Sequence, residues 1–453
     1  MFNTTKISLA RWVSLGALLL ICSVSVSKPI KGRLAIKAAP ISITIDEEEV
    51  TWDAKPSKKE AIYGANERIV YNVEVKNGLK ENQEGTLSCL ISTFDDKEVG
   101  RSSINVNIGK KSTKRFDLKL PGQEAGFYKV NVIINVTEYD DTIRRVVGVD
   151  PKQIKSGHAK PADFDAFWES TKQELAKVAP QFKMTEQPNL EKDNTSVYLI
   201  EGKSLGNITV RGWLTIKKNR KPNEKFPVWL VVPGYGGVGV KPIFGSTELA
   251  VLSFNVRGQG NSSDVVRTTK VGYLTTDIES RNRYVYRGAI MDCIRAMDFV
   301  CSRPELDSNN VIISGGSMGG YLAIAAASLD SRIKLCSANN PVFCDYRALA
   351  GNKDWPMSDF VKYSKAHRLP MEKIFATLDY FDLKNFSYNL KCQSLIGISL
   401  LDNLAPPANE YAMLNNIESK KYKLFVYPEL AHEVPPSLFT YLSNWMMDQF
   451  GIF

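Results

Sequence analysis

Three residues have the types and spacing to cleave an acyl bond: Ser317, Asp402 and His432. Ser317 lies in Val311-Ile312-Ile313-Ser314-Gly315-Gly316-Ser317-Met318-Gly319-Gly320-Tyr321-Leu322-Ala323, where an apolar strand stops at a Gly-x-Ser-x-Gly turn and a small-residue helix follows. Flanking glycines leave space for such a turn, and the sharp backbone pushes the serine hydroxyl outward. A hydroxyl is a poor nucleophile near neutral pH until a base takes its proton. The chain has only three histidines. His158 falls in a proline- and lysine-containing connector and His367 in a helical stretch beside Arg368 and Pro370, whereas His432 follows an apolar strand in the loop Pro428-Glu429-Leu430-Ala431-His432-Glu433. Strand carboxyl ends are where sheets of this kind place functional groups. Asp402 follows another apolar strand and precedes Asn403-Leu404-Ala405-Pro406-Pro407, which cannot continue it. It is the acid that would orient the imidazole and stabilise its charged form.

The oxyanion of such a reaction needs backbone donors. One is expected from Met318, the residue after the nucleophile, and the other from Tyr235 in Gly234-Tyr235-Gly236-Gly237, which follows the strand at 227–232. Other chemistries lack their residues. His432-Glu433 has Pro436 where a zinc motif needs histidine, Gly258-Gln259-Gly260 lacks the third glycine of a dinucleotide fingerprint, and no Walker sequence occurs. No cofactor and no metal are expected.

Two kinds of periodicity surround these residues. From 39 to 149 apolar and polar residues alternate, as in Ile41/Ile43/Ile45, Ile69/Tyr71/Val73/Val75, Leu87/Cys89/Ile91, Ile104/Val106/Ile108 and Tyr128/Val130/Val132/Ile134/Val136. Short period-two runs between turn residues indicate an antiparallel, immunoglobulin-like β-sandwich. A linker is expected at 150–161. Beyond it, from 162 to 453, strands at 195–200, 208–216, 227–232, 250–254, 311–314, 333–336, 394–399 and 422–426 alternate with helices such as 286–301. This order implies a mostly parallel sheet covered on both faces, with a helical insertion at 345–390 walling the site. The chain order Ser317, Asp402, His432 is that of the α/β-hydrolase fold.

Composition narrows the setting. With 43% hydrophobic and 24% charged residues the chain is globular. Residues 1–27 resemble a signal peptide, with Lys6 and Arg11 before the apolar run from Trp12 to Ile21 and small residues at Ser25-Val26-Ser27. That run is short for a membrane span, and Ile21 before Cys22 does not suit a lipoprotein signal, so a periplasmic or extracellular protein without a membrane span is expected. The remaining cysteines (Cys89, Cys293, Cys301, Cys336, Cys344, Cys392) sit mostly in apolar segments without disulfide-framework spacing and are expected as free thiols. The net charge of +9 is spread along the chain, unlike the concentrated basic face of a nucleic-acid binder.

From Pro161 onward the chain resembles the acetyl xylan esterase and cephalosporin C deacetylase family. The resemblance rests on Pro161-Ala162-Asp163-Phe164-Asp165-Ala166-Phe167-Trp168, Asn255-Val256-Arg257-Gly258-Gln259-Gly260, and Tyr284-Val285-Tyr286-Arg287 with Asp292, Arg295 and Ala296. The elbow, Leu378-Asp379-Tyr380-Phe381-Asp382, Asp402 with Pro406-Pro407, and His432-Glu433 complete it. The resemblance implies a cofactor-free serine esterase that removes acetyl groups from carbohydrates or a cephalosporin, with Arg257 and Gln259 supporting the site. The sequence departs from the family pattern at Pro233, where histidine is usual, at Met318, where glutamine is usual, and at Ala405, where cysteine is common. The sandwich is additional to the compact members, so their ring-like hexamer is not carried over. Expected partners are an acetylated carbohydrate and, for assembly, copies of the same chain. A prolyl-oligopeptidase-like peptidase is the enzyme alternative, and a non-catalytic glycan-binding surface protein is the other.

Overall fold

The computed structural model describes residues 49–452. The leader at 1–27, Cys22 and the alternation at Ile41/Ile43/Ile45 lie outside the described residues. The chain divides into two compact units, one of residues 49–124 with 128–149, the other of 125–127 with 150–452.

In the first unit eight strands form two sheets: β1 (Val50–Pro56), β2 (Ile62–Tyr63), β3 (Ile69–Asn77), β4 (Gln83–Ser92), β5 (Glu98–Ile108), β6 (Ser112–Leu120), β7 (Gly126–Val136) and β8 (Tyr139–Val149). One sheet runs β1-β3-β6 and the other β2-β8-β7-β4-β5. Ile69, Tyr71, Val73 and Val75 on β3 and Leu87, Cys89 and Ile91 on β4 are all buried, because period-two side chains share one face of a strand. The alternation slips on β7. There the buried residue is Phe127, not Tyr128, and the inward set resumes at Val130, so two successive residues, Tyr128 and Lys129, separate inward positions.

The second unit holds nine strands: β9 (Lys183–Glu186), β10 (Thr195–Ser204), β11 (Ile208–Lys217), β12 (Phe226–Val231), β13 (Ala250–Asn255), β14 (Leu306–Gly316), β15 (Leu335–Asn339), β16 (Gln393–Ser399) and β17 (Tyr422–Tyr427). Their order is β17-β16-β15-β14-β12-β13-β11-β10-β9. The sheet is parallel from β13 through β17 and antiparallel across β9, β10, β11 and β13. It is therefore a mixed sheet, parallel in most of its pairings, and the parallel part carries the candidate residues. Every residue of β13 is buried, which a strand achieves only when both sheet faces are covered.

The helices are α1 (Phe164–Ala176), α2 (Val285–Cys301), α3 (Met318–Leu329), α4 (Met357–His367), α5 (Met371–Leu378), α6 (Leu383–Ser387), α7 (Pro407–Leu414) and α8 (Pro436–Gln449). Between β15 and β16 the chain makes α4, α5 and α6. Residues 150–161, expected as a linker, are tied to this unit. Asn415 Nδ2 donates to the carbonyls of Pro151 and Ile154 at 2.9 and 2.8 Å, and Ser156 Oγ donates to Asp345 Oδ1 at 2.7 Å. Among the described residues no helix is long and apolar enough to cross a membrane. The six described cysteines are free thiols, four buried, with Cys301 exposed and Cys392 between.

Candidate active site

The elbow after β14 forms because two of its glycines lie against backbone. A Cβ on Gly315 would sit 2.5 Å from the carbonyl carbon of Gly319, and one on Gly319 would sit 2.7 Å from the carbonyl oxygen of Val232. Any side chain there would separate α3 from β14 or push the elbow off the loop after β12. Ser317 itself has φ 59 and ψ −123, a left-handed φ that costs a non-glycine residue energy and persists only where the surroundings enforce it. Its N–H is committed to the Asn339 carbonyl at 2.8 Å. The free backbone donor at the elbow is therefore the next one, Met318, whose position as first residue of α3 denies it an intrahelical acceptor.

Asp402 follows β16 and His432 follows β17, so with Ser317 they mark the carboxyl ends of parallel strands. Asp402 has a fully buried side chain. Its Oδ1 accepts the N–H groups of Leu404 and Ala405 at 2.8 and 2.9 Å, and its Oδ2 faces His432 Nδ1 at 2.6 Å. With both oxygens oriented this way, Nδ1 carries the imidazole proton and Nε2 remains free to accept one. His432 keeps 24% of its side chain exposed. Its loop is fastened at three points: Leu401 N donates to Leu430 O at 3.0 Å, and Ser399 Oγ and Asn340 Nδ2 donate to Glu433 O at 2.6 and 3.1 Å. Asn340 adjoins Asn339, the acceptor of the Ser317 N–H, so one short stretch ties the elbow to the histidine loop. Ser399 and Asn340 were not among the sequence candidates. The signal for Asn340 was weak, an asparagine before a proline at a strand end, where its φ of 42 is one that asparagine tolerates.

Gln259 holds the loop that bears Tyr235, and Arg257 fixes the turn that carries Gln259. Arg257 forms a two-point pair with Asp292, Nη2 to Oδ1 at 2.7 Å and Nε to Oδ2 at 2.9 Å, and its backbone N–H reaches the same carboxylate at 2.9 Å. This pair is buried and fixes the start of the turn after β13. From that turn Gln259 Oε1 accepts the Gly237 N–H at 2.8 Å, and Gly260 N donates to Gly237 O at 3.0 Å. Asn255 adds a further clamp, accepting from Val240 N at 2.6 Å and donating to Val240 O at 3.0 Å. The loop bearing Tyr235 is thus pinned on its far side, and a Cβ on Gly234 would lie 3.6 Å from Gly316 O, ordinary contact with the elbow. The Tyr235 ring packs 5.2 Å from the Trp355 ring, and burial raises its hydroxyl pKa.

Met318 turns away from this arrangement. Its side chain is fully buried and its sulfur accepts from Tyr286 Oη at 3.2 Å. The departure from glutamine therefore changes the packing under the elbow, within an aromatic cluster of Tyr284, Tyr286, Tyr321 and Phe343. His158 is exposed. His367 stacks on Tyr363 and faces that residue's carbonyl across 3.0 Å. Among the described residues no group of three or more His, Cys, Asp or Glu side chains could hold a metal ion.

A strained serine, an imidazole held through Nδ1 and a buried acid are the types of group that acyl transfer uses to take a proton from a hydroxyl and return it to a leaving group. Comparison with known proteins places the chain among relatives. A model of the acetyl xylan esterase family matches residues 150–448. The acetyl esterase Axe7A of Xylanibacter ruminicola is 29% identical over 293 residues, 61% of this chain and 65% of that protein's own length. The structure of an acetyl xylan esterase from a Paenibacillus species aligns with a TM-score of 0.60 at 27% identity, over 66% of this chain and 98% of that one. One from a Thermoanaerobacterium species aligns at 0.58 and 22% identity, over 66% and 97% of the two chains. The second unit thus has the α/β-hydrolase fold.

Proposed function

Because the chain belongs to the acetyl xylan esterase family, we propose that it is an exported serine carboxylesterase removing acetyl groups from acetylated carbohydrates, xylan and its oligosaccharides foremost. Ser317 Oγ attacks the acetyl carbonyl as His432 Nε2 takes its proton. The oxyanion is held by the Met318 and Tyr235 N–H groups. The imidazolium, stabilised by Asp402, protonates the departing sugar hydroxyl, and water then releases acetate from the acyl-enzyme by the same steps. The single observation that carries this reading is the 2.6 Å hydrogen bond between His432 and Asp402, which leaves Nε2 as the base on the strand ends shared with Ser317.

The test uses the full chain on nitrophenyl acetate, butyrate and longer esters, on acetylated xylo-oligosaccharides and on cephalosporin C. Ser317→Ala is expected to lower kcat/KM by about 10^6-fold. A near-wild-type rate in that variant would overturn the mechanism, and a flat response to acyl length would overturn the acetyl preference. Cleavage of a proline peptide without ester hydrolysis would point to a peptidase instead. Export rests on the leader at 1–27, and cell fractionation tests it. The amino-terminal unit is proposed as an immunoglobulin-like module, which its two sheets of alternating burial support.

A further inference from the structure

Glu410, on the first turn of α7, is fully buried, and neither of its carboxyl oxygens has a hydrogen-bond partner among the described residues. Its electrostatic neighbour is Asp402, eight positions earlier and on the far side of the Pro406-Pro407 turn. A buried carboxylate without a partner is costly, and two carboxylates side by side cost more. The hydrogen bonds decide where a single negative charge of the pair resides. A negative charge on Asp402 meets the Leu404 and Ala405 N–H groups and His432, whereas Glu410 has no donor aimed at it. The other ionisable neighbour is the Cys344 thiol, which is buried, donates to the Pro341 carbonyl at 3.3 Å and stays neutral. Lys384, Asp345 and Asp382 act on that thiol as well, and Lys384 is already taken by Asp345 at 2.6 Å.

We propose that Glu410 stands as an uncharged carboxylic acid behind Asp402, a positioning residue that keeps the pair's one negative charge on the carboxylate holding His432. Burial and the Asp402 charge both raise its pKa well above the ordinary carboxylate range, in the same direction as the geometry. The inference rests on the proposed roles of Asp402 and His432. When Glu410 loses its proton, a second buried negative charge acts on Asp402 with no added cation. The repulsion is relieved by drawing Asp402 off the imidazole, so activity falls at alkaline pH.

Infrared difference spectra of the full chain, wild type minus Glu410→Gln at pH 7, test the protonation state without requiring any turnover. The expected result is the C=O stretch of a protonated acid, present in the wild type and lost in the variant. Ionised-carboxylate bands instead would overturn the proposal. The second readout is the pH profile of kcat/KM: in Glu410→Gln, the alkaline limb should move up by about one pH unit or more. An unchanged limb would refute the positioning role. Glu410→Met, apolar and similar in length, should fold and shift the limb in the same way, so a folding failure of the glutamine variant would not shield the idea. A chain that hydrolyses no ester but shows the acid band would refute the esterase reading alone.

Discussion

Replacing Asp402 by asparagine isolates the link between the acid and the base. Oδ1 of Asp402 already accepts two backbone N–H groups, from Leu404 and Ala405. An asparagine carbonyl will take that place, because the amide nitrogen cannot accept there. Its NH2 is then forced into the position of Oδ2, facing His432 Nδ1 where the present contact is 2.6 Å. A donor facing Nδ1 makes that nitrogen the acceptor and moves the imidazole proton to Nε2. His432 can then no longer take the proton of Ser317, and the imidazolium loses its counter-charge. This tautomer error is worth roughly 10^4-fold in kcat, about 5 kcal/mol of barrier. Stability should change far less, by about 1 kcal/mol, because both turn hydrogen bonds survive. Asp402→Ala would also strand those two N–H groups, one of them buried, and lower the melting temperature. The assay is kcat/KM for nitrophenyl acetate near pH 7, with thermal melts of both variants. If Asp402→Asn stayed within about tenfold of wild type while Ser317→Ala was inactive, the orientation argument would be wrong.

Gln259→Leu removes the acceptor that holds Gly237 while leaving every proposed reacting group in place. Loss of a direct oxyanion donor costs about 10^2- to 10^3-fold, so an indirect loosening is expected to lower kcat by about 10- to 100-fold with KM little changed. Gln259→Glu, which keeps the Oε1 acceptor, should restore much of the loss, and a change confined to KM would count against it. Asp382 offers a pH test of stability. It is buried, accepts from Asp345 N and Tyr346 N at 2.8 Å each, and burial raises its pKa to about 6. The folded value exceeds the unfolded one, so this group's contribution is fully present below about pH 4 and is lost as pH rises through about 6, a swing of roughly 3 kcal/mol. Urea unfolding of wild type and Asp382→Asn at pH 4 and pH 8 should reveal that swing in their difference, and a constant offset would refute it.

The sequence alone carried the identity and order of the candidate residues. Three histidines narrow the search for a base to one in a strand-end loop, and the strand, glycine and small-residue pattern around Ser317 depends on neighbours within a few positions. The period-two runs of the first unit and the alternating strands of the second were legible for the same reason, since backbone periodicity repeats over adjacent residues. Only the tertiary structure decided what lies behind each residue. Met318 could have faced the pocket, but it meets Tyr286, 32 positions away. Gln259 holds Gly237 from 22 positions away and Asn340 holds Glu433 from 93. Those distances come from which strands pair, and no local pattern records them. Which strands form the antiparallel edge of the mostly parallel sheet escaped for a similar reason, because an apolar strand reads alike whichever way its neighbour runs. Glu410 shows the limit most sharply. In the sequence it is one acid on a helix after two prolines, and only packing removes its water and its partners and brings it within the influence of Asp402.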